Sequence, residues 1–139
     1  RFLQMTRKHF AFCAKSYNHL VWCTKYRKQL LKNGLDIECK RMLYELAEEY
    51  RFQILAIEVM PDHIHLLLDC KPQFFISDMI KIMKGNLARQ LFLSHPELKQ
   101  ELWGGHLWNP SYCAVTVSDR SREQVLAYIE GQKEKEKRK

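Results

Sequence analysis

The amino-acid sequence predicts an α+β fold built on an antiparallel sheet. Three observations carry that expectation. Two segments repeat apolar residues at the three-and-four spacing of amphipathic helices, two extended segments are separated only by Pro61-Asp62, and the last third holds a helix-start signature at Ser121 and Gln124.

Taken in order, residues from about His9 to Lys25 read as extended, with Phe10, Phe12, Tyr17, Leu20 and Trp22 in β-favouring surroundings. Asn33-Gly34 breaks the chain, and Asp36 is the expected N-cap of a first helix. Cys39, Met42, Leu43, Leu46, Ala47 and Tyr50 form its apolar stripe. Gln53 to Met60 reads as a second strand and His63 to Cys70 as a third, paired as a hairpin across the tight break. After Pro72, Ile76, Met79, Ile80, Met83, Leu87 and Leu91 mark a second helix, with Lys81, Lys84 and Arg89 near its polar side. A loop holding Trp103-Gly104-Gly105 leads to a strand expected between His106 and Val117 and broken near Asn109-Pro110. A last helix runs from the Ser121 capping box through Tyr128 to about Gln132. The order is that of a ferredoxin-like, split βαβ sheet with helices on one face and an added C-terminal helix.

Length and composition agree. A chain of 139 residues suits one domain, expected over 1–139, with about 133–139 a charged, fraying tail. At 46% hydrophobic and 28% charged residues it is globular rather than disordered. No long uncharged apolar run and no signal-peptide pattern is found, so a soluble, cytoplasmic protein is expected. Cys13, Cys23, Cys39, Cys70 and Cys113 are odd in number, lack any CxxC pair, and read as reduced thiols. The net charge of +7 and pI near 9.2 favour a polyanionic partner, and Lys25-Tyr26-Arg27-Lys28 is a compact phosphate-binding candidate.

Two small constellations could carry chemistry. In a strand, His63 and His65 point to one face while Ile64, Leu66 and Leu68 point to the other. With Cα atoms roughly 6–7 Å apart, the two imidazoles can converge on one ion, although satisfied or exposed histidines give the same pattern. His9, His19, His95 and His106 show no comparable pattern and read as structural. Tyr128 and Gln132 lie one helical turn apart, and a glutamine amide oxygen suits Mg²⁺ or Mn²⁺. Equally, Val125, Tyr128, Ile129 and Gln132 could be no more than a buried stripe.

The segment Val59-Met60-Pro61-Asp62-His63-Ile64-His65-Leu66-Leu67-Leu68 resembles the signature of the HUH single-tyrosine (TnpA-type) transposases of the hairpin-ended 200/605 bacterial insertion sequences. Tyr17-Asn18-His19-Leu20-Val21-Trp22-Cys23-Thr24-Lys25-Tyr26-Arg27 is similar to their first strand. Leu102-Trp103-Gly104-Gly105, then Leu107-Trp108-Asn109-Pro110-Ser111-Tyr112-Cys113, and Tyr128-Ile129-Glu130-Gly131-Gln132 follow in the same order. The resemblance implies His63 and His65 as metal ligands, Tyr128 as nucleophile and Gln132 as the residue completing the metal site. Gly131 could loosen that end of the helix.

The chemistry is coherent. A phenol titrates near about 10 and is a poor nucleophile at neutral pH, whereas a divalent cation on a phosphate stabilises the transition state. A phosphotyrosine link conserves the phosphodiester's free energy, in keeping with the lack of a Walker-type loop. The resemblance implies single-stranded DNA with hairpin ends as substrate, with Lys25, Arg27, Lys84 and Arg89 expected on phosphates and Trp108 and Tyr112 as candidates either for base stacking or for the core. One candidate nucleophile per chain, Tyr128, and two element ends to cut imply a homodimer. The family precedent implies active sites shared between chains, and the Ser118-Asp119-Arg120 connection makes that exchange physically reasonable. Three alternatives stay open. They are a related HUH nickase, a domesticated endonuclease that processes chromosomal repeats, and a non-enzymatic ferredoxin-like RNA-binding module.

Overall fold

A computed structural model describes residues 16–69, 75–118 and 121–133. Strand β1 (Ser16–Cys23) is followed by helix α1 (Leu35–Tyr50), strands β2 (Gln53–Val59) and β3 (His63–Asp69), helix α2 (Ile76–Ser94), strand β4 (Cys113–Ser118) and helix α3 (Arg122–Glu130). The sheet order is β2-β3-β1-β4, with every neighbouring pair antiparallel. This is the expected α+β, ferredoxin-like arrangement.

The alternation in β3 sorts the sheet into two faces. Ile64, Leu66 and Leu68 join Leu20 and Trp22 of β1 and the apolar stripes of α1 and α2 in the main core. On the opposite face Leu67, Tyr17, Ala56 and Val117 pack under Ile129 of α3, with Val125 and Leu126 at the edge. A register shift between Ile54 and Ala56 inserts one residue into the edge strand β2.

Several local expectations change. Helix α1 begins at Leu35 behind Gly34, whose φ of 96° suits only glycine without strain, so Asp36 lies in the first turn rather than at the cap. There its carboxylate receives Lys133 at 2.6 Å. No capping box forms at Ser121, which makes no side-chain cap bond; its backbone N–H donates instead to Ser118 Oγ at 3.3 Å. The strand expected from His106 is regular only over Cys113–Ser118. Its earlier part is a loop that touches the sheet through a single Thr24–Trp108 bridge.

Residues 25–27 form a tight 3-10 turn rather than the end of a strand. The readings made for residues 9–15, Cys13, Cys70, Pro72, Asp119, Arg120 and residues 134–139 lie outside the described residues. Among the described residues no helix is long and apolar enough to cross a membrane.

Candidate active site

Strand pairing assembles the site. Strand β1 sits between β3 and β4, with Cys23 opposite His63, Val21 opposite His65 and His19 opposite Leu67. His19 is therefore the diagonal neighbour of His65 on the same face. The two rings stack with centroids 5.5 Å apart, and His19 Nε2 lies 3.2 Å from His65 Nδ1. On the other side, His63 Nε2 and His65 Nε2 approach to 3.1 Å. His63 Nδ1 contacts Asp62 Oδ1 at 2.6 Å. The result is a line of groups, Asp62, His63, His65 and His19, along the sheet face that α3 covers.

The turn after β1 fixes the acidic end of this line. Thr24 is fully buried, and its backbone N–H donates to the Asp62 carbonyl at 2.9 Å. Tyr26 and Arg27 both adopt positive φ, 59° and 52°, a conformation L-residues seldom hold. That bend brings the Arg27 guanidinium to 3.2 Å from Asp62 Oδ2. Burial alone would raise the Asp62 pKa. Its bond to His63 and the charges of His63 and Arg27 outweigh that and hold it below the ordinary carboxylate value. Asp62 is thus an ionised partner for the outer nitrogen of His63.

His65 is 5% exposed. Burial, reinforced by His63 and then His19, pushes its pKa down to about 4, and burial also lowers that of His19. His65 is therefore neutral at pH 7, the form in which an imidazole binds a cation.

Helix α3 carries Tyr128 onto this line. The Tyr128 ring lies edge-on to His65 at 5.7 Å and to His19 at 6.3 Å between centroids. Ile129, completely buried, and the Arg122–Tyr17 contact hold the helix down, while Lys133 joins its far end to Asp36 at 2.6 Å and Glu58 at 3.7 Å. Tyr128 stays 46% exposed and is no part of a buried stripe. These contacts lie within one chain.

The histidine pair fits a divalent cation. Ligand nitrogens on adjacent corners of an octahedron with bonds of ~2.1 Å stand about 3.0 Å apart, close to the 3.1 Å seen here. Among the described residues no cluster of three or more His, Cys, Asp and Glu side chains could enclose the ion. A cation on this pair would keep open positions, as reactive metal sites do. Gln132, expected to complete the set, instead turns back along its helix, its Nε2 donating to the Tyr128 carbonyl at 3.3 Å.

The expected DNA contacts separate into groups. Lys25, Lys84 and Trp108 line a cleft of about 480 Å³ between the 25–27 turn, α2 and the 105–110 loop. Lys84 Nζ donates to the carbonyls of Asn109 at 2.7 Å and Ser111 at 3.4 Å, so it also ties down that loop. Trp108 is a correction. Only 7% exposed, it packs edge-on to Trp22 and donates to the Lys84 carbonyl, so its place is mainly in the core. Tyr112 is exposed, Arg27 is engaged with Asp62, and Arg89 bonds Asn86 on the surface of α2. The contact of His19 with His65 was not expected, because a strand register between distant segments is not written in local spacing.

The chain is similar to proteins of one kind. The ISDra2 transposase TnpA of Deinococcus radiodurans is 48% identical over 118 residues, covering 85% of this chain and 84% of that protein. The transposase for insertion sequence element IS200 of Salmonella typhimurium is 29% identical over 119 residues, covering 86% and 78%. A crystal structure of a Deinococcus radiodurans R1 protein assigned as a transposase superposes with a TM-score of 0.69 at 47% identity, covering 84% of this chain and 89% of that one. A tyrosine transposase bound to a REP hairpin shares the fold, with a TM-score of 0.64 at 16% identity, covering 88% and 68%. The family model described as "Transposase IS200 like" matches residues 13–132, nearly the whole chain, and the chain belongs to that family of transposases.

Proposed function

We propose that this transposase cuts and rejoins single-stranded DNA through a covalent bond to Tyr128, beside a divalent cation held by His63 and His65. The observation that carries the proposal is the Tyr128 ring lying against His65, whose Nε2 converges with that of His63. When bound, Mg²⁺ or Mn²⁺ would supply Lewis-acid stabilisation of charge on the scissile phosphate. His63 and His65 would hold it, and Gln132 could join them by a side-chain rotation that exchanges its bond to the Tyr128 carbonyl for the ion. Asp62 and Arg27 orient His63, and the apolar seat of α3 orients Tyr128.

The Tyr128 hydroxyl oxygen attacks the scissile phosphorus, its proton is lost, and a DNA hydroxyl leaves. One strand end is then joined to the protein, and the reverse attack by a DNA hydroxyl restores both partners without ATP. A non-enzymatic RNA-binding module offers no use for this juxtaposition. The direct test is to incubate the protein with labelled single-stranded hairpin DNA and Mg²⁺ or Mn²⁺. A denaturation-resistant protein–DNA adduct is expected, and its absence with both ions counts against the proposal.

The DNA itself is proposed to be single-stranded with hairpin ends; that a tyrosine transposase of the same fold is bound to a REP hairpin supports the hairpin. Affinity should fall steeply with salt, since four cations on phosphates give a slope of about −3 in log K against log salt. Duplex lacking hairpins should compete poorly in the same titration. Equal affinity for plain duplex would point to another mode of DNA binding.

Two element ends and one candidate nucleophile, Tyr128, per chain call for a homodimer. We propose that α3 is exchanged, since a partner's helix could make on this sheet the same contacts that its own makes here. A mixture of Tyr128→Phe and His65→Ala chains then contains sites with both an intact tyrosine and an intact histidine pair. Cleavage should return on mixing. Continued inactivity of proven mixed dimers would place each site within one chain.

A further inference from the structure

The outer nitrogen of His65 is the point of the site that the family assignment leaves unexplained. His65 is buried, and its Nε2 must face His63 if the two rings are to share an ion. An imidazole can flip or change tautomer, so something must hold its other nitrogen. For His63 that group is Asp62, at 2.6 Å from Nδ1. For His65 it is His19, whose Nε2 lies 3.2 Å from Nδ1. Among the described residues no carboxylate plays this part for His65; Glu58, its cross-strand neighbour on β2, is engaged with Lys40 at 3.1 Å and Lys133 at 3.7 Å.

We infer that His19 is a positioning residue for His65, the counterpart of Asp62 for His63, and that it fixes the ring whose inner nitrogen faces the cation site. The inference rests on the metal role proposed above. Histidine suits the task because the proton can sit on either side of the bond. Without a cation, the line is satisfied when His19 Nε2–H donates to His65 Nδ1 and His65 Nε2–H donates to His63 Nε2. With a cation, both inner nitrogens need free lone pairs. The His65 proton then lies on Nδ1, and His19 accepts it through Nε2 while carrying its own proton on Nδ1. A carboxylate could only accept and would favour one arrangement. His19 serves both, and it adds no charge to a neutral ligand.

The test uses the full chain in three forms: wild type, His19→Phe and His19→Gln. Phenylalanine keeps a ring but has no hydrogen-bonding group, whereas the glutamine amide can donate or accept at similar reach. In ¹⁵N-labelled wild type without metal, a scalar coupling across the bond between His19 Nε2 and His65 Nδ1 is expected. Mn²⁺ titration by calorimetry should show affinity about 10- to 100-fold weaker in His19→Phe and close to wild type in His19→Gln.

Wild-type Mn²⁺ affinity in His19→Phe, or an absent coupling in folded wild type, overturns the inference while leaving the metal reading in place. A visible coupling in a wild-type protein that binds no Mn²⁺ has the opposite meaning: His19 holds His65, and the metal reading falls. If His19→Phe does not fold, the wild-type coupling and the affinity of His19→Gln decide. A His19→Gln protein that folds but binds as weakly as His65→Ala also counts against the inference.

Discussion

Replacing Tyr128 with phenylalanine is expected to abolish the covalent protein–DNA adduct and to leave hairpin binding nearly intact. The phenol oxygen is the atom that would bond phosphorus, and it is the one group the substitution removes. Loss of a nucleophile that acts with its neighbours as a unit costs on the order of 10⁴-fold or more in turnover. The fold should hardly notice. Ile129 supplies the buried anchor of α3, whereas the Tyr128 ring is nearly half exposed, so deleting one hydroxyl should cost about 1 kcal/mol. Denaturing gels with labelled single-stranded hairpin DNA read the adduct, and a melting curve reads the fold. An adduct still formed by the phenylalanine variant would assign the nucleophile to another residue.

The second large effect is expected from His63→Ala and His65→Ala. Each removes one of two converging nitrogens, and a single imidazole cannot localise a hard cation against water. Mn²⁺ binding measured by calorimetry should be lost in both, together with cleavage. The stability costs should differ. His63 is partly exposed and bonds an ionised carboxylate, which Arg27 continues to satisfy after the change. His65 is buried, and its removal leaves His19 Nε2 without its partner, a penalty of about 1–3 kcal/mol. Both variants should still fold, because Ile64, Leu66 and Leu68 on the other face are untouched. Unchanged Mn²⁺ affinity in both would remove the cation from the proposal.

How much of this was readable beforehand follows from how local each signal is. The stripes of α1 and α2 and the alternation of β3 are short-range patterns, and the structure keeps them almost residue for residue. His63 and His65 share a face for the same reason. The placement of Tyr128 needed the resemblance, since helical spacing alone allowed a buried stripe, and the ring proves largely exposed.

What failed was non-local. His19 reaches His65 only through a β1–β3 register between segments 46 positions apart, and local spacing cannot supply one. Asp62 read as part of a tight break, yet its backbone is held by Thr24 and its carboxylate by Arg27 across the sheet. Trp108 read equally as a base-stacking or a core aromatic, and only the fold of its loop over α2, which buries the indole, decides for the core. Gln132 sits one turn from Tyr128 as its spacing predicts, and there its amide bonds the Tyr128 carbonyl of its own helix.

The two-faced character of β3 gives the molecule a form of proofreading. Sliding β3 by one residue against its neighbours would turn His63 and His65 into the main core and push Ile64, Leu66 and Leu68 out beneath α3. Two imidazoles would enter the apolar core and lose Asp62 and His19, and three completely buried aliphatic side chains would lose much of their packing. Each such side chain contributes about 1.5–3 kcal/mol by burial, so the slipped sheet cannot compete with the native one. Chains that pass the folding transition therefore carry their histidines in reacting order, and a defective copy tends to be an unfolded copy open to proteolysis. Selection on stability alone thus guards the alignment of the reactive line, even in generations when no DNA is cut.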